Sequence, residues 1–437
     1  MVGLTLSVTA NWGCVRARKP DDDKAELKSR ADDLARRKTR KIAKGKYMQW
    51  NNWSGRHRVE LDSLRFVRRE EDAAAFVAEY AATGKTIRVA GSGHSHAPVV
   101  VNEEAILDVS GLSGLVSVDQ DTKTAWMRAG STIYSLGIQL HEHGLALRNQ
   151  GDIDRQQVGG VIATGTHGTG RNLKNISGSV KGVKLILADG SFVNCSAEEN
   201  ADLFQVARLS VGSVGVITQV EMVLNPSRVL QESGVPMSYD EVAPRIPELI
   251  ENNERWEFFW FPRNDQTVTK SINPSDEPPS YPLAEEGGRR AFSFEVLPNH
   301  RSVPHTEMEY SIPAESGPEC FARIRELIHS KFPEVQWPVE YRTIAEDDIW
   351  LSMAFGRPTV SISVHQDVRL DEEPYYRACE EIFLSYGGRP HWGKVHYLSA
   401  DQFAAIYPHW GDWWRVRDQY DQNGVFLNEH FRSLRPA

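Results

Sequence analysis

His94 stands in the segment Arg88-Val-Ala-Gly-Ser-Gly-His-Ser-His96, directly after a short apolar strand, Thr86 to Ala90, and a glycine turn. Gly91 and Gly93 admit backbone conformations closed to other residues and let a ligand lie against bare backbone. Successive N–H groups in such a turn form a concave nest for phosphate. A histidine delivered into that nest suits a nucleotide cofactor whose reactive ring lies within imidazole reach. Two other readings stay open on these residues. His94-x-His96 could supply two ligands of a metal site, although no Cys or acidic residue sits nearby to complete it. The turn could also be purely structural. It is not a Rossmann fingerprint, because no third glycine follows and the next residues read as a β-branched, strand-like run rather than a helix. It is not a P-loop, because no Gly-Lys-Ser/Thr follows.

Glu340 and Arg342 alternate along Pro338-Val-Glu-Tyr-Arg-Thr343, which reads as a strand. Period two puts both side chains on one face. Such a pair can orient a carbinol and steady an alkoxide-like transition state. It can equally be an exposed ion pair of little worth. His365 shares a strand face with Ser361 and Ser363, opposite Val360, Ile362 and Val364. That pattern suggests a lined pocket over an apolar core, with His365 a candidate general base or a structurally satisfied histidine. From Gln156 to Gly170, glycine recurs at 159, 160, 165, 168 and 170, interleaved with Thr164, Thr166, His167 and Thr169. The stretch cannot be regular helix or strand throughout and is costly to order. It is expected to wrap a ligand, with the three threonine hydroxyls on offer.

These residues need elements to hold them. A helix is expected over Glu70–Ala82, with Phe76, Val77, Tyr80 and Ala81 on one face and Gly84 as the stop. Strands are expected at Ala105–Val109, Thr124–Arg128 and Val216–Leu224, and a hairpin around Asp189-Gly190. Ser131 reads as the cap of a helix carrying Ile133, Leu136 and Leu140. Beyond Pro226 aromatics become frequent, as in Trp256-Glu-Phe-Phe-Trp-Phe261. That region reads as an antiparallel sheet with helices at Gly317–Phe332 and Glu373–Tyr386. The organisation follows: an N-terminal extension over 1–45, partly disordered or helical; a cofactor domain over 46–226; a substrate domain over 227–400; and a segment over 401–437 that returns to pack on the cofactor domain.

The chain has 437 residues, is 40% hydrophobic and carries a net charge of −9. The length fits two domains, and the acidic balance argues against a nucleic-acid partner. Cys14, Cys195, Cys320 and Cys379 show no CxxC spacing, which fits a reduced, cytoplasmic protein. No apolar run is long enough to span a membrane. The basic stretch 36–46 reads as a solvated extension, with peripheral contact to a membrane surface as the other reading.

Taken together, the glycine turn with His94, Gly159-Gly160 to Gly170, Gly212 to Ile217, Glu340-x-Arg342, His391-Trp-Gly-Lys394 and Phe426-Leu-Asn-Glu-His-Phe-Arg432 resemble the vanillyl-alcohol-oxidase-type flavoproteins. Within them the chain is similar to the sugar-lactone oxidoreductases that act on gulono-, arabinono- and galactonolactone, with alditol oxidase nearby. Thr306-Glu-Met-Glu-Tyr310 and Arg389-Pro-His-Trp-Gly-Lys394 are similar to stretches of the actinobacterial gulonolactone enzymes. The resemblance runs in family order over almost everything after Trp50. It implies an α+β chain: a two-part FAD-binding domain of the PCMH type, plus an α+β cap with a large antiparallel sheet.

The resemblance also implies FAD. Its pyrophosphate would lie on Val89, Ala90, Gly91, Ser92, Gly93, His94, Ser95 and His96, with His94 covalently bonded to the flavin. Gly151, Val158, Gly159, Gly160, Ala163, Thr164, Gly165, Thr166, His167, Gly168, Gly215 and Ile217 would line the rest, Ile217 meeting the adenine through its backbone. Glu340, Arg342 and His365 would be catalytic. Lys394 would be both catalytic and cofactor-binding, as a cation beside the flavin. The His365 assignment departs from alditol oxidase, where a His and a Thr occupy the places of Ser363 and His365. Gly151 matches the place where oxidases of the group carry Gly and the plant galactonolactone dehydrogenase carries Ala, which implies an oxygen path and hydrogen peroxide as product. Val161 replaces a serine of alditol oxidase. The expected reaction is oxidation of a CH–OH group of an aldono-1,4-lactone by hydride transfer, with no metal. The alternatives are an alditol or other secondary-alcohol oxidase, a lactone dehydrogenase using a protein or dye acceptor, a non-catalytic flavin-binding protein, and a metal protein built on His94-x-His96.

Overall fold

The computed structural model describes residues 48–299 and 303–436. The extension over 1–45 and the whole of the basic stretch 36–46 lie outside the described residues. Near the start, three short parallel strands are ordered Ser63–Phe66, Ala105–Asp108, Ile87–Ala90. The helix Glu70–Ala82 makes the crossover between the outer two and buries Ala73, Ala74, Phe76 and Val77. A second sheet is antiparallel and five-stranded, ordered Phe192–Ser196, Val180–Ile186, Val216–Val223, Thr124–Arg128, Leu115–Asp119. Its hairpin turns at Gly190, which sits at φ 83°.

Local signals and tertiary forces disagree at three points. Thr132, not Ser131, caps the helix Ile133–Glu142, accepting from the Ser135 N–H. Ser131 instead accepts from the Gly114 N–H. The apolar residues after the His94 turn, 98–101, form bends and irregular backbone and no strand. Val158–Thr164 forms two turns of helix despite Gly159 and Gly160, ending on Gly165 in the left-handed region. Packing overrides propensity there. Val158, Val161 and Ile162 are fully buried, and a Cβ at Gly159 would come within 3.0 Å of Ala129.

The third sheet has eight strands, all antiparallel, in the order Arg290–Phe292, Val229–Ser238, Gln266–Pro274, Arg255–Phe261, Val339–Ile344, Thr359–Asp367, His305–Pro313, Arg389–Pro390. Alternation divides it cleanly. Phe258, Trp260, Met308, Tyr310, Tyr341, Ile362 and Val364 pack with the helices Gly317–Lys331 and Glu373–Ser385 into one apolar core. The opposite face is polar and carries Glu257, Glu307, Glu309, Glu340, Arg342, Ser361, Ser363 and His365. Register aligns them, with Glu340 opposite Ser363, Arg342 opposite Ser361 and Glu257, and Glu307 opposite His365. The chain then returns. Trp410, Trp413, Trp414 and Phe431 of the last helices share a core with the five-stranded sheet. Among the described residues no helix is long and apolar enough to cross a membrane.

Candidate active site

The glycine turn is held from three sides. Gly93, at φ 72°, accepts from the Trp53 N–H at 2.7 Å, and the Asn52 amide donates to the Ser95 carbonyl. Ser92 donates to the Arg155 carbonyl at 2.6 Å, and the His96 N–H donates to the Gly393 carbonyl at 2.6 Å. Behind the turn, the fully buried Arg88 donates to the carbonyls of Val99, Val211, Gly212 and Phe426. Nothing in the local sequence marks Arg88 for this work, because its acceptors lie far along the chain.

A cleft opens between this turn and the polar face of the eight-stranded sheet. His94, His96, Gly151, Thr166, His167, Glu340, Arg342, His365 and Lys394 all line it. Val89, Ala90, Gly91, Ser92, Gly93 and Ser95 lie outside its lining, as do Val158, Gly159, Gly160, Ala163, Thr164, Gly165, Gly168, Gly215 and Ile217. Gly215 and Ile217 sit at the start of a strand, where a Cβ on Gly215 would meet the Ile186 carbonyl. Two of the threonine hydroxyls turn inward rather than toward a ligand. Thr164 bonds the Gly160 carbonyl, and Thr169 bonds the Trp256 carbonyl across to the cap sheet.

The residues present fit an FAD. Gly160 is exposed with open space where a side chain would stand, on a helix otherwise largely buried. Gly91 faces Gln157 Oε1, a buried acceptor without a partner among the described residues, at a distance a Cβ would reduce to 3.0 Å. The cradle thus offers bare backbone and one unsatisfied polar atom, as a bound polar ligand requires. His94 stacks on Trp53 with ring centroids 5.6 Å apart. Burial, with the Lys394 ammonium and His305 nearby, pushes its imidazole down to about 4. It is neutral at physiological pH, and a neutral imidazole is a competent nucleophile.

On the opposite wall, Arg342 sits among three carboxylates. It forms an ion pair with Glu340 and lies 3.3 Å from Glu257 Oε2 and 3.4 Å from Asp152 Oδ2. Lys270, the register partner of Glu257 on the next strand, pairs with it from the side away from Arg342. Burial pushes the Glu340 carboxyl well above its ordinary range; Arg342 opposes this, while Asp152 and Glu257 add to it. A protonated Glu340 can donate a hydrogen bond.

Glu307 gathers the remaining groups. The Lys394 ammonium rests on its carboxylate. His96 and His305 approach Oε2 at 3.7 and 3.9 Å, and His365 approaches Oε1 at 3.7 Å. Burial works against the charge on Glu307, but the Lys394 ammonium outweighs it and holds the carboxyl well below its usual range. His96, His305 and Glu307 bring ligand atoms within 4.8 Å of one another, and the cation beside this carboxylate is the lysine. His365 Nδ1 lies 2.8 Å from the Pro338 carbonyl oxygen. That oxygen only accepts, so Nδ1 carries the proton and Nε2 presents a lone pair. Burial pushes this imidazole down to about 4.

Asp152, Glu257, Lys270, His305, Glu307, Glu309 and Trp337 were not legible as site residues. A signal existed for two of them: Glu307 and Glu309 alternate in Thr306-Glu-Met-Glu-Tyr310, and period two puts both carboxylates on one face.

Comparison with known proteins identifies the family. The family described as D-arabinono-1,4-lactone oxidase matches residues 286–434, and the FAD binding domain family matches residues 62–196. L-gulono-1,4-lactone dehydrogenase of Mycobacterium tuberculosis is 34% identical over 424 residues, covering 88% of this chain and 98% of its own. L-gulonolactone oxidase of Mus musculus is 29% identical over 398 residues, covering 80% and 90%. Alditol oxidase of Streptomyces is 27% identical over 412 residues, covering 88% and 98%. Among solved structures, cholesterol oxidase from B. sterolicum superposes with a TM-score of 0.79 at 15% identity, over 89% of this chain and 97% of that one. A solvent-stable cholesterol oxidase gives a TM-score of 0.77 at 17% identity with the same coverage. At those identities the likeness speaks to the fold alone.

Proposed function

The chain belongs to the aldonolactone oxidoreductases, FAD flavoproteins acting on CH–OH donors, and from that premise we propose that it oxidises the CH–OH group of an aldono-1,4-lactone of the gulono or arabinono type. The observation that carries the reading is the convergence, on one cleft, of Arg342 with Glu340, the Nε2 of His365, and Lys394. When bound, FAD supplies the hydride acceptor. The chain supplies the rest. Arg342 holds the lactone carbonyl or ring hydroxyls and steadies negative charge on the reacting oxygen. Glu340 orients Arg342 and donates to a substrate oxygen. His365 Nε2 takes the hydroxyl proton as the carbon gives up its hydride. Lys394, anchored by Glu307, offsets the negative charge that builds up in the cleft.

The neutral imidazole of His94 supports a covalent tether to FAD. Gly151, which lines the cleft without a side chain, supports O2 as the acceptor with hydrogen peroxide as product. We assign the protein to the cytoplasm on its cysteine usage, with Cys195, Cys320 and Cys379 buried and unpaired.

Turnover assays with gulonolactone, arabinonolactone and xylitol, read both as peroxide and by dye reduction, test the reading. Turnover of a lactone is expected. Turnover confined to xylitol would overturn the substrate class.

A further inference from the structure

Glu309 belongs to the polar face of the eight-stranded sheet, and its carboxylate bonds Ser361 and His167 while Lys394 and Arg342 feel its charge. It is 2% exposed. Its Oε1 accepts from Ser361 Oγ at 2.6 Å and lies 2.5 Å from His167 Nε2. His167, 3% exposed, comes from the glycine stretch of the cofactor domain, 142 positions earlier. Its other nitrogen, Nδ1, lies 2.8 Å from the Gly168 carbonyl oxygen.

The hydrogen atoms can be counted. A carbonyl oxygen only accepts, so Nδ1 of His167 must carry a proton. An ionised carboxylate also only accepts. A neutral imidazole protonated at Nδ1 would therefore face Glu309 lone pair to lone pair at 2.5 Å. That contact requires a second proton between Nε2 and Oε1. The Ser361 proton cannot serve, because it already points at Oε1 from another side. The pair as a unit holds one proton more than a neutral imidazole plus a carboxylate. The surroundings suit it. His391 lies beside His167, with ring centroids 5.7 Å apart. Its Nδ1 accepts from the Gly393 N–H at 2.9 Å, so its own proton is on Nε2. Burial works against the charge on Glu309, but His167 outweighs it, and the carboxyl is held well below its ordinary range.

We propose that His167 and Glu309 are a positioning pair: one shared, buried proton clamps the glycine stretch of the FAD cradle to the sheet that carries Glu340 and Arg342, and keeps that wall of the cleft electrically neutral. The hydrogen-bond bridge fixes the distance between cofactor domain and substrate face. The shared proton cancels a carboxylate that would otherwise stand uncompensated in a low-dielectric site, where a lone charge is costly and acts over a long range. The proposal relies on FAD binding only for its electrochemical readout.

The test uses the full-length flavoprotein and three variants. His167→Gln leaves Glu309 as an unpaired anion. Glu309→Gln leaves a neutral imidazole bonded by an amide. The double variant pairs two amides. The expected result is a two-electron midpoint potential shifted negative in His167→Gln by about 30 mV or more, a tenfold change in the reduction equilibrium. Glu309→Gln and the double variant should return toward the wild-type value. Equal shifts in His167→Gln and the double variant would overturn the proposal, because a purely structural role gives that pattern. A second readout needs no variant to fold: the wild-type protein should show a far-downfield, exchange-protected proton resonance. Absence of that resonance overturns the shared proton independently. A wild-type protein that carries no flavin would instead sink the cofactor reading and leave the resonance test intact.

Discussion

His365 Nε2 and the Glu307 carboxylate face each other at 3.7 Å, on residues that are register partners in adjacent antiparallel strands. The carboxylate therefore sits where the imidazole would become positive on taking a proton, and the Lys394 ammonium sits on the same carboxylate. His365→Asn should lower kcat by roughly 10²–10⁴-fold, the usual worth of a positioned general base, with a smaller effect on KM. In the wild-type enzyme His365 is active only when neutral. Its ionisation is pushed down to about 4, so the acid limb of kcat/KM should fall near pH 4 and not near 6.5. A limb centred near 6.5 that survives in His365→Asn would assign the base elsewhere.

Burial shifts Glu340 toward its protonated form against the pull of Arg342, so its amide isostere should be tolerated. Glu340→Gln is expected to stay within about tenfold of wild-type kcat/KM. Arg342→Ala, which removes a charged donor from the reacting oxygen, should cost roughly 10²–10³-fold. Steady-state kinetics on one lactone decide this; equal losses in the two variants would mean that Glu340 works as a carboxylate.

Acidification should destabilise the protein through its buried histidines. Burial pushes His365 and His391 down to about 4 and His396 to about 3. Between these values and the unfolded value near 6.5, the unfolded chain binds more protons than the folded one. Unfolding stability therefore rises with pH across this window, is fully present above pH 6.5, and is lost as pH falls toward 4. Each such histidine contributes roughly 1.4 kcal/mol per pH unit. Thermal melts at pH 7, 6 and 5 should show a falling Tm, and His396→Phe should flatten the slope.

Much of the first half of this fold is written locally. The helix Glu70–Ala82 follows from a 3.6-residue apolar period and a glycine stop, and Glu340 and Arg342 share a face because strands alternate. The site is less local. Glu257, Glu307 and Glu309 meet Arg342, Lys394 and His167 only because four strands pair in an order that no short window encodes. Register between distant strands is set by the whole buried face, so a carboxylate's partner cannot be read from its neighbours. The helix at Val158 illustrates the reverse case, where two glycines argue against a helix and tertiary packing imposes one.

His94→Ala should abolish the flavin tether without emptying the cradle, whose glycines it leaves in place. Acid precipitation should give a fluorescent yellow pellet for wild type and a colourless pellet with free FAD for the variant. A colourless wild-type pellet would remove His94 from its assigned role.

Gly151→Ala places a methyl 3.0 Å from the His167 carbonyl oxygen. Peroxide production should drop while dye-coupled turnover persists. Parallel loss of both would mean that the methyl disturbs the cleft itself rather than the approach of oxygen.

The Arg88 guanidinium donates to Val99 just beyond the cofactor turn and to Phe426, which lies 338 positions further along the chain. The Ile87 N–H bonds Val425 in the same region, and the Asn428 amide bonds the carbonyls of Pro98 and Val101. The cofactor turn is thus backed by backbone that does not yet exist when the turn itself leaves the ribosome. FAD capture on this turn would then wait for the C-terminal residues: a nascent chain carrying every glycine of the nest would still lack the rear wall that holds it in shape.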